Sequence, residues 1–265
     1  MLALSAAADC DEQAFRAAMA AEDLPRFEAL VAACRQAGGD WTRRDDGSSL
    51  LLVAAHVGGR QAPAFMRRLL AAGADPLAAT AEGTTAMHMA ARFDCAACIA
   101  VLHSAGAALA PREVDGLTPL HMAGPRAAEA LVAAGADPWV RDDQGNLPMH
   151  RLPHAVLQVA DVNVRNAAGL TPLHFAALTG SVWRIDQLLA AGADPGLRTQ
   201  RDTHWRALSM SRAFGPGIAV PAGSTAYDLA RAQQKATRWN TQTHDAAVQR
   251  LAEATPRRGI WGWLR

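Results

Sequence analysis

Lysine is almost missing from this chain: of 26 basic residues only Lys235 is not arginine, a bias associated with GC-rich bacterial genes. Aromatics are scarce too, 5% of residues with a single tyrosine, so a core must close through small aliphatic side chains. Neither charge dominates: 26 basic residues face 25 acidic ones, and a net charge of +1 excludes a general drive toward nucleic acid or membrane. No apolar run approaches the roughly 18 residues of a spanning helix. The stretch Met1 to Cys10 is apolar but lacks a basic leader and runs into acidic residues, which argues against a signal peptide. Four cysteines, Cys10, Cys34, Cys95 and Cys98, are too few for a disulfide framework and are expected as reduced thiols in a soluble, cytoplasmic protein. A glycine-rich phosphate loop, a serine elbow and a paired-carboxylate motif are all missing, so no enzyme is expected.

What is present is alanine, in a chain 50% hydrophobic, and a recurring pattern. Its fullest copy begins Gly169-Leu170-Thr171-Pro172-Leu173-His174-Phe175-Ala176-Ala177 and closes at Gly192-Ala193-Asp194-Pro195. Gly116-Leu117-Thr118-Pro119-Leu120-His121 and Gly83-Thr84-Thr85-Ala86-Met87-His88 are clear relatives of it. Gly145 to His150 opens a truncated copy, while Gly47 to Ala55 opens one with Ser49 for the threonine and Leu52 for the histidine. Gly223-Ser224-Thr225-Ala226-Tyr227-Asp228 opens the last, with Asp228 in the histidine's place. Each resembles an ankyrin repeat, a helix-turn-helix unit with a β-turn, recurring about every 33 residues with a T-P-L-H-x-A signature. The third copy is short between its helices, the fourth is shorter still and interrupted by Pro153, and an insertion at 200–222 precedes the sixth.

The signature has a mechanical reading. Threonine caps a free N–H at the helix start, and proline at the first helical position sacrifices no hydrogen bond. The Ala-Ala pair lets helices approach closely, and Gly73, Gly135 and Gly192 accept the left-handed conformation that ends the outer helix. In the resembled repeats the histidine bonds backbone groups of the adjoining turn. The resemblance therefore implies an all-α ankyrin-repeat solenoid of about six repeats with short β-hairpin turns. Residues 1–39 form a helical N-terminal cap from helices near 11–22 and 24–37, residues 40–254 the repeats, and 255–265 a tail.

His88, His121, His150 and His174 share one signature position, about 10 Å apart as packed helices are, too far to share a metal whose ligands stand at about 2 Å. They are read as structural, with no cofactor or metal. Cys95-Ala96-Ala97-Cys98 has redox or zinc spacing, but the repeat alignment puts Cys95 in the inter-helix turn and Cys98 on the apolar face of the outer helix. A metal or redox enzyme using them is the alternative of another class.

The resemblance implies recognition of another protein on a concave face. Hairpin candidates are Trp41, Arg43, Arg44 and Asp45; Arg112; Trp139, Arg141, Asp142 and Asp143; Arg165; and Arg198. Tryptophan beside arginine is typical of interaction hot spots. The insertion adds Arg201, Trp205, Arg206 and Phe214 as a partner-contacting arm. Both charge signs recur, so a protein of mixed charge fits better than nucleic acid. The tail, with Trp261 and Trp263, is expected to cover the last helix without stable membrane anchoring. The expectation is a monomer that binds one specific partner, for instance a bacterial inhibitor or immunity protein; a general scaffold or host-directed interaction protein is the alternative.

Overall fold

The computed structural model describes residues 12–37, 49–57, 59–151, 161–205, 218–236 and 241–255. It divides into two compact units, Met1–Asp142 and Asp143–Arg265.

In the first unit helices come in antiparallel pairs: α1 (Glu12–Ala20) with α2 (Leu24–Ala37), α3 (Leu50–Val57) with α4 (Ala62–Ala71), α5 (Ala86–Arg92) with α6 (Ala96–Ser104), and α7 (Pro119–Met122) with α8 (Pro125–Ala133). Packing between pairs is regular. The first members stack α1 on α3, α3 on α5 and α5 on α7, and the second members stack α2 on α4, α4 on α6 and α6 on α8. Two layers of short helices are the outcome, each pair too small to bury its own apolar face. At the start of the stack, Phe15 and Phe27 lie with centroids 5.3 Å apart and Phe27 and Phe65 with centroids 4.7 Å apart, which places three of the chain's six phenylalanines where α1 and α2 join the first repeat. Farther on, Leu51, Leu69, Met87, Ile99, Leu102, Leu120 and Leu131 are fully buried.

The second unit contains α9 (Pro148–Arg151), α10 (Pro172–Thr179) with α11 (Val182–Ala190), and α12 (Ala226–Ala236) with α13 (Thr241–Ala254). Here α9 packs on α10, α10 on α12, and α11 on α13. Leu170, Leu173, Ile185, Leu188, Leu229 and Leu251 form its core. An ion pair from Arg250 to Asp186, 2.6 Å long, closes α13 over α11.

Helix starts follow the expected chemistry. Thr85, Thr118 and Thr171 are N-caps in extended conformation, and Pro119 and Pro172 begin the helices after them. Outer helices end where expected, on left-handed glycines such as Gly73 (φ 99°) and Gly192 (φ 90°), positions at which an L side chain is strained. The shortened third copy has a four-residue inner helix, α7, separated from α8 by only Ala123 and Gly124, so the deletion removes the last turn of the inner helix. The insertion is not a plain loop. Strands β1 (Thr203–Trp205) and β2 (Ile218–Val220) pair antiparallel, Thr203 opposite Val220, and Val220 is buried in the core of the second unit.

Candidate functional site

Between the helix pairs, hairpins project with a common construction. Asp75, Asp137 and Asp194 each accept an N–H two residues on, from Leu77, Trp139 and Gly196, at 2.8–2.9 Å, which turns the chain out of the outer helix. At the far end, a side-chain oxygen caps the returning backbone: Thr80 accepts from Thr84 N–H at 3.2 Å, Asn166 from Leu170 N–H at 2.8 Å, and Thr199 from Ser224 N–H at 3.0 Å. The third of these crosses the insertion, so the last hairpin closes at its base with the extra chain between the two bonded residues.

Arg112, Arg141, Arg165 and Arg198 occupy one equivalent hairpin position. Arg112 Nη1 donates to the carbonyl of Arg141 at 3.0 Å, Arg165 Nη1 to that of Arg198 at 2.7 Å, and Arg198 Nη1 to that of Gly223 at 2.6 Å. Residues read from the sequence as partner contacts thus act as rungs from one hairpin to the next. Asp142, expected at a solvated tip, is 5% exposed. It stands at the position of Asn166, whose side-chain oxygen is turned inward onto the Ala168 and Leu170 N–H groups. Trp139 remains 43% exposed, and Leu77 (57%) and Val114 (56%) add apolar surface on the neighbouring hairpins. Arg141, Asp143 and Arg201 are exposed. Trp205 lies in β1, where its backbone alone is described. Trp41, Arg43, Arg44, Asp45, Arg206, Phe214 and the tail tryptophans lie outside the described residues.

The four signature histidines are buried in the frame. His174 Nδ1 accepts from Thr171 N–H at 3.1 Å and from the Thr171 hydroxyl at 2.8 Å, while Nε2–H donates to the Ser224 carbonyl at 3.2 Å. His88 repeats this with Thr85 and the Leu117 carbonyl, and His150 with Leu147 N–H and the Leu170 carbonyl. A carbonyl can only accept, so each of these rings carries its proton on Nε2 and is neutral. Burial lowers the pKa of His88, and it lowers that of His174 to about 4, against the opposing pull of the Ser224 carbonyl. With both nitrogens committed, these rings have no lone pair to offer a metal. Among the described residues no cluster of His, Cys, Asp and Glu could hold one, and no helix is long and apolar enough to cross a membrane.

The cysteines require a correction. Cys95 and Cys98 form a disulfide, with Cα atoms 5.2 Å apart, and the buried Cys34 is disulfide-bonded as well, so the expected reduced thiols are not found. Cys95 is the N-cap of α6 and Cys98 lies in its first turn, which brings the two side chains together. Their alignment in the repeat, turn for one and buried face for the other, is as the sequence indicates. Two long-range ties carried no local signal: Arg184 of α11 donates to the His150 carbonyl at 3.0 Å with its pKa lowered to about 10 by burial, and Asp94 caps α8 from the preceding repeat.

Stacked helix pairs with projecting hairpins define a helical repeat protein whose exposed hairpin edge is available for recognition. Models of the ankyrin repeat match residues 50–142, as three copies, and 168–200, as one. The chain is an ankyrin repeat protein. It is 33% identical over 143 residues to the E3 ubiquitin-protein ligase KEG of Arabidopsis thaliana, covering 46% of this chain and 9% of that protein. To the B-cell lymphoma 3 protein homolog of Mus musculus it is 30% identical over 155 residues, 51% of this chain and 34% of that one, so it spans a minor part of these relatives. Among solved structures, the ankyrin repeat domain of Bcl-3 superimposes with a TM-score of 0.54 at 28% identity, over 70% of this chain and 89% of that one. The human ASB11 ankyrin repeat domain gives 0.62 at 24% identity, over 89% and 96%, a likeness of fold. Repeats of this kind are protein-interaction modules rather than catalysts, and α12 with α13 extends the same packing beyond the residues that the family models match.

Proposed function

We propose that the chain binds one specific protein partner without catalysis, through the hairpin edges of its units and above all through the arm at 200–222. The observation that carries this reading is the way the arm is rooted. Thr199, Pro221, Ser224 and Asp202 close its base by hydrogen bonds, and Val220 is sunk in the core, so an ordinary hairpin base presents a long extra excursion of chain. A fixed base lowers the conformational entropy lost when such a loop is captured. Arg201, Trp205, Arg206 and Phe214 supply contact chemistry on the arm, Trp139 with Arg141 supply it on the first unit, and Asp143 supplies it at the start of the second. Trp41, Arg43, Arg44 and Asp45 belong to the same proposal. Arg112, Arg165 and Arg198 are better assigned to holding hairpins in register, because each guanidinium already donates to a neighbouring carbonyl.

The NF-kappa-B inhibitor alpha of Sus scrofa, 34% identical over 101 residues but matched over only 31% of its length, is by name an inhibitor of another protein. An inhibitor or immunity role in a bacterium, with the chain monomeric until it meets its partner, is the corresponding reading here. The test replaces 206–217 by Asn-Gly, which keeps β1, β2 and buried Val220, and compares quantitative affinity capture from the native cells. One dominant captured protein that is lost with the shortened arm at unchanged thermal stability supports the proposal. Equal capture by both proteins sinks the arm's role, and many weak partners favour a general scaffold.

A further inference from the structure

The turn Phe93-Asp94-Cys95 joins α5 to α6 and touches the repeat on either side of it. Phe93 stacks on His56 of the preceding repeat, centroids 5.0 Å apart. Asp94, held at a left-handed φ of 54°, accepts from Ala127 N–H at 2.8 Å and from Arg126 Nε at 3.1 Å in the following repeat. The N-cap of α8 is Gly124, which has no side chain to satisfy that helix, so Asp94 supplies the missing cap. A Cβ on Gly124 would stand 2.6 Å from the Asp94 carboxylate, so the fit needs glycine.

The Cys95–Cys98 disulfide follows directly, and its two sulfurs are not equivalent. Cys98 is 0% exposed, sealed in the core, whereas Cys95 is half-buried on the turn. Cys98 N–H donates to Cys95 Sγ at 3.2 Å, so the sulfur of the less buried cysteine sits at the N-terminus of a nine-residue helix with an amide already directed at it. That setting favours a thiolate over a thiol. Attack from solvent is therefore expected at Cys95, the less buried of the two residues.

We propose that Cys95 and Cys98 form a reversible thiol–disulfide exchange site whose co-reactants are low-molecular-weight thiols and their disulfides. In the reducing direction a thiolate RS⁻ attacks Cys95 Sγ. An R–S–Sγ bond forms, the Cys95–Cys98 bond breaks, and its electron pair leaves on Cys98 Sγ, which takes up a proton. A second RS⁻ attacks the external sulfur and releases RSSR and the Cys95 thiolate. Two RSH are oxidised to RSSR while the protein disulfide is reduced to two thiols. Oxidation runs in reverse, with Cys95 attacking RSSR and Cys98 resolving the mixed disulfide. Because Asp94 precedes Cys95, the exchange occurs on the segment that holds α8. The inference stands apart from the protein-binding proposal and survives its failure.

The test uses the full chain in native buffer with oxidised glutathione and peptide mass spectrometry. After Cys98→Ser, Cys95 should take up glutathione at least about tenfold faster than Cys98 does after Cys95→Ser. In the unmutated protein, dithiothreitol should open the pair without unfolding, and limiting iodoacetamide should then label Cys95 before Cys98, a comparison that needs no variant to fold. Equal labelling of the two sulfurs, labelling of Cys98 first, or a pair that resists dithiothreitol until the protein is denatured overturns the proposal.

Discussion

The first and fifth copies build the same inner helix with opposite chemistry at the same two positions. In the fifth, the His174 ring bonds the Thr171 N–H, the Thr171 hydroxyl and the Ser224 carbonyl, the last of them 50 residues away. In the first, Ser49 and Leu52 take those places; a leucine offers no ring nitrogen, and Ser49 Oγ is buried with no hydrogen-bond partner. Nevertheless α3 packs on α5 as α10 packs on α12. The apolar faces suffice to stack the helices. The histidine adds a tie to the next repeat, and the tie matters most where an insertion separates two repeats in sequence.

Substitution of His174 by Leu makes the fifth copy resemble the first and should have the largest effect. It strands the Thr171 N–H in a buried setting and takes one of two donors from the Ser224 carbonyl, which keeps the Thr199 N–H, a loss on the order of 2–3 kcal/mol, read by urea unfolding. Acid should erode the same tie in the unmutated protein. With a folded pKa near 4 and an ordinary value of 6.5, His174 is neutral in the folded chain while the unfolded chain takes up a proton. Stability from this group is therefore complete above pH 6.5 and falls as pH drops toward 4, by about 3 kcal/mol in all. That part of the slope should vanish in His174→Leu, which unfolding midpoints measured across pH 4 to 7 would check. Asp228→Ala should cost less, about 1 kcal/mol in the same unfolding assay, because Asp228 accepts only from Thr225 N–H and the Thr225 hydroxyl, at 2.9 and 2.7 Å. Ser49→Ala should be the smallest change and opposite in sign, raising stability by roughly 0.5–1 kcal/mol, seen as a higher midpoint, since it removes a buried hydroxyl that has no partner.

Much of this frame is legible from the sequence because its causes are local. A threonine cap lies one residue before its helix, an aspartate turn spans two residues, and a glycine marks a left-handed backbone wherever it falls. The shortening of the third copy and the site of the insertion follow from spacing alone. What escapes local reading depends on partners a repeat away. Nothing in their own repeats shows that Arg112, Arg165 and Arg198 bond carbonyls of the next hairpin, while Arg112 and Arg198 stay exposed as well. Asp94 becomes a cap only because Gly124 lacks a side chain. Thr203–Trp205 and Ile218–Val220 are too short to show strand alternation, and their pairing appears only once the hairpin base is closed. For Cys95 and Cys98, the CxxC spacing and the repeat alignment indicate proximity and the burial of each residue, and what differs is the disulfide in place of two reduced thiols.

The signature histidines are neutral ties within the frame, not reactive groups. Long-range 15N correlation spectra of the imidazole rings test this directly. His88, His150 and His174 should each show the neutral tautomer protonated on Nε2 at pH 6, with His174 unprotonated down to about pH 5. A ring that is imidazolium at pH 6, or one carrying its proton on Nδ1, would contradict it.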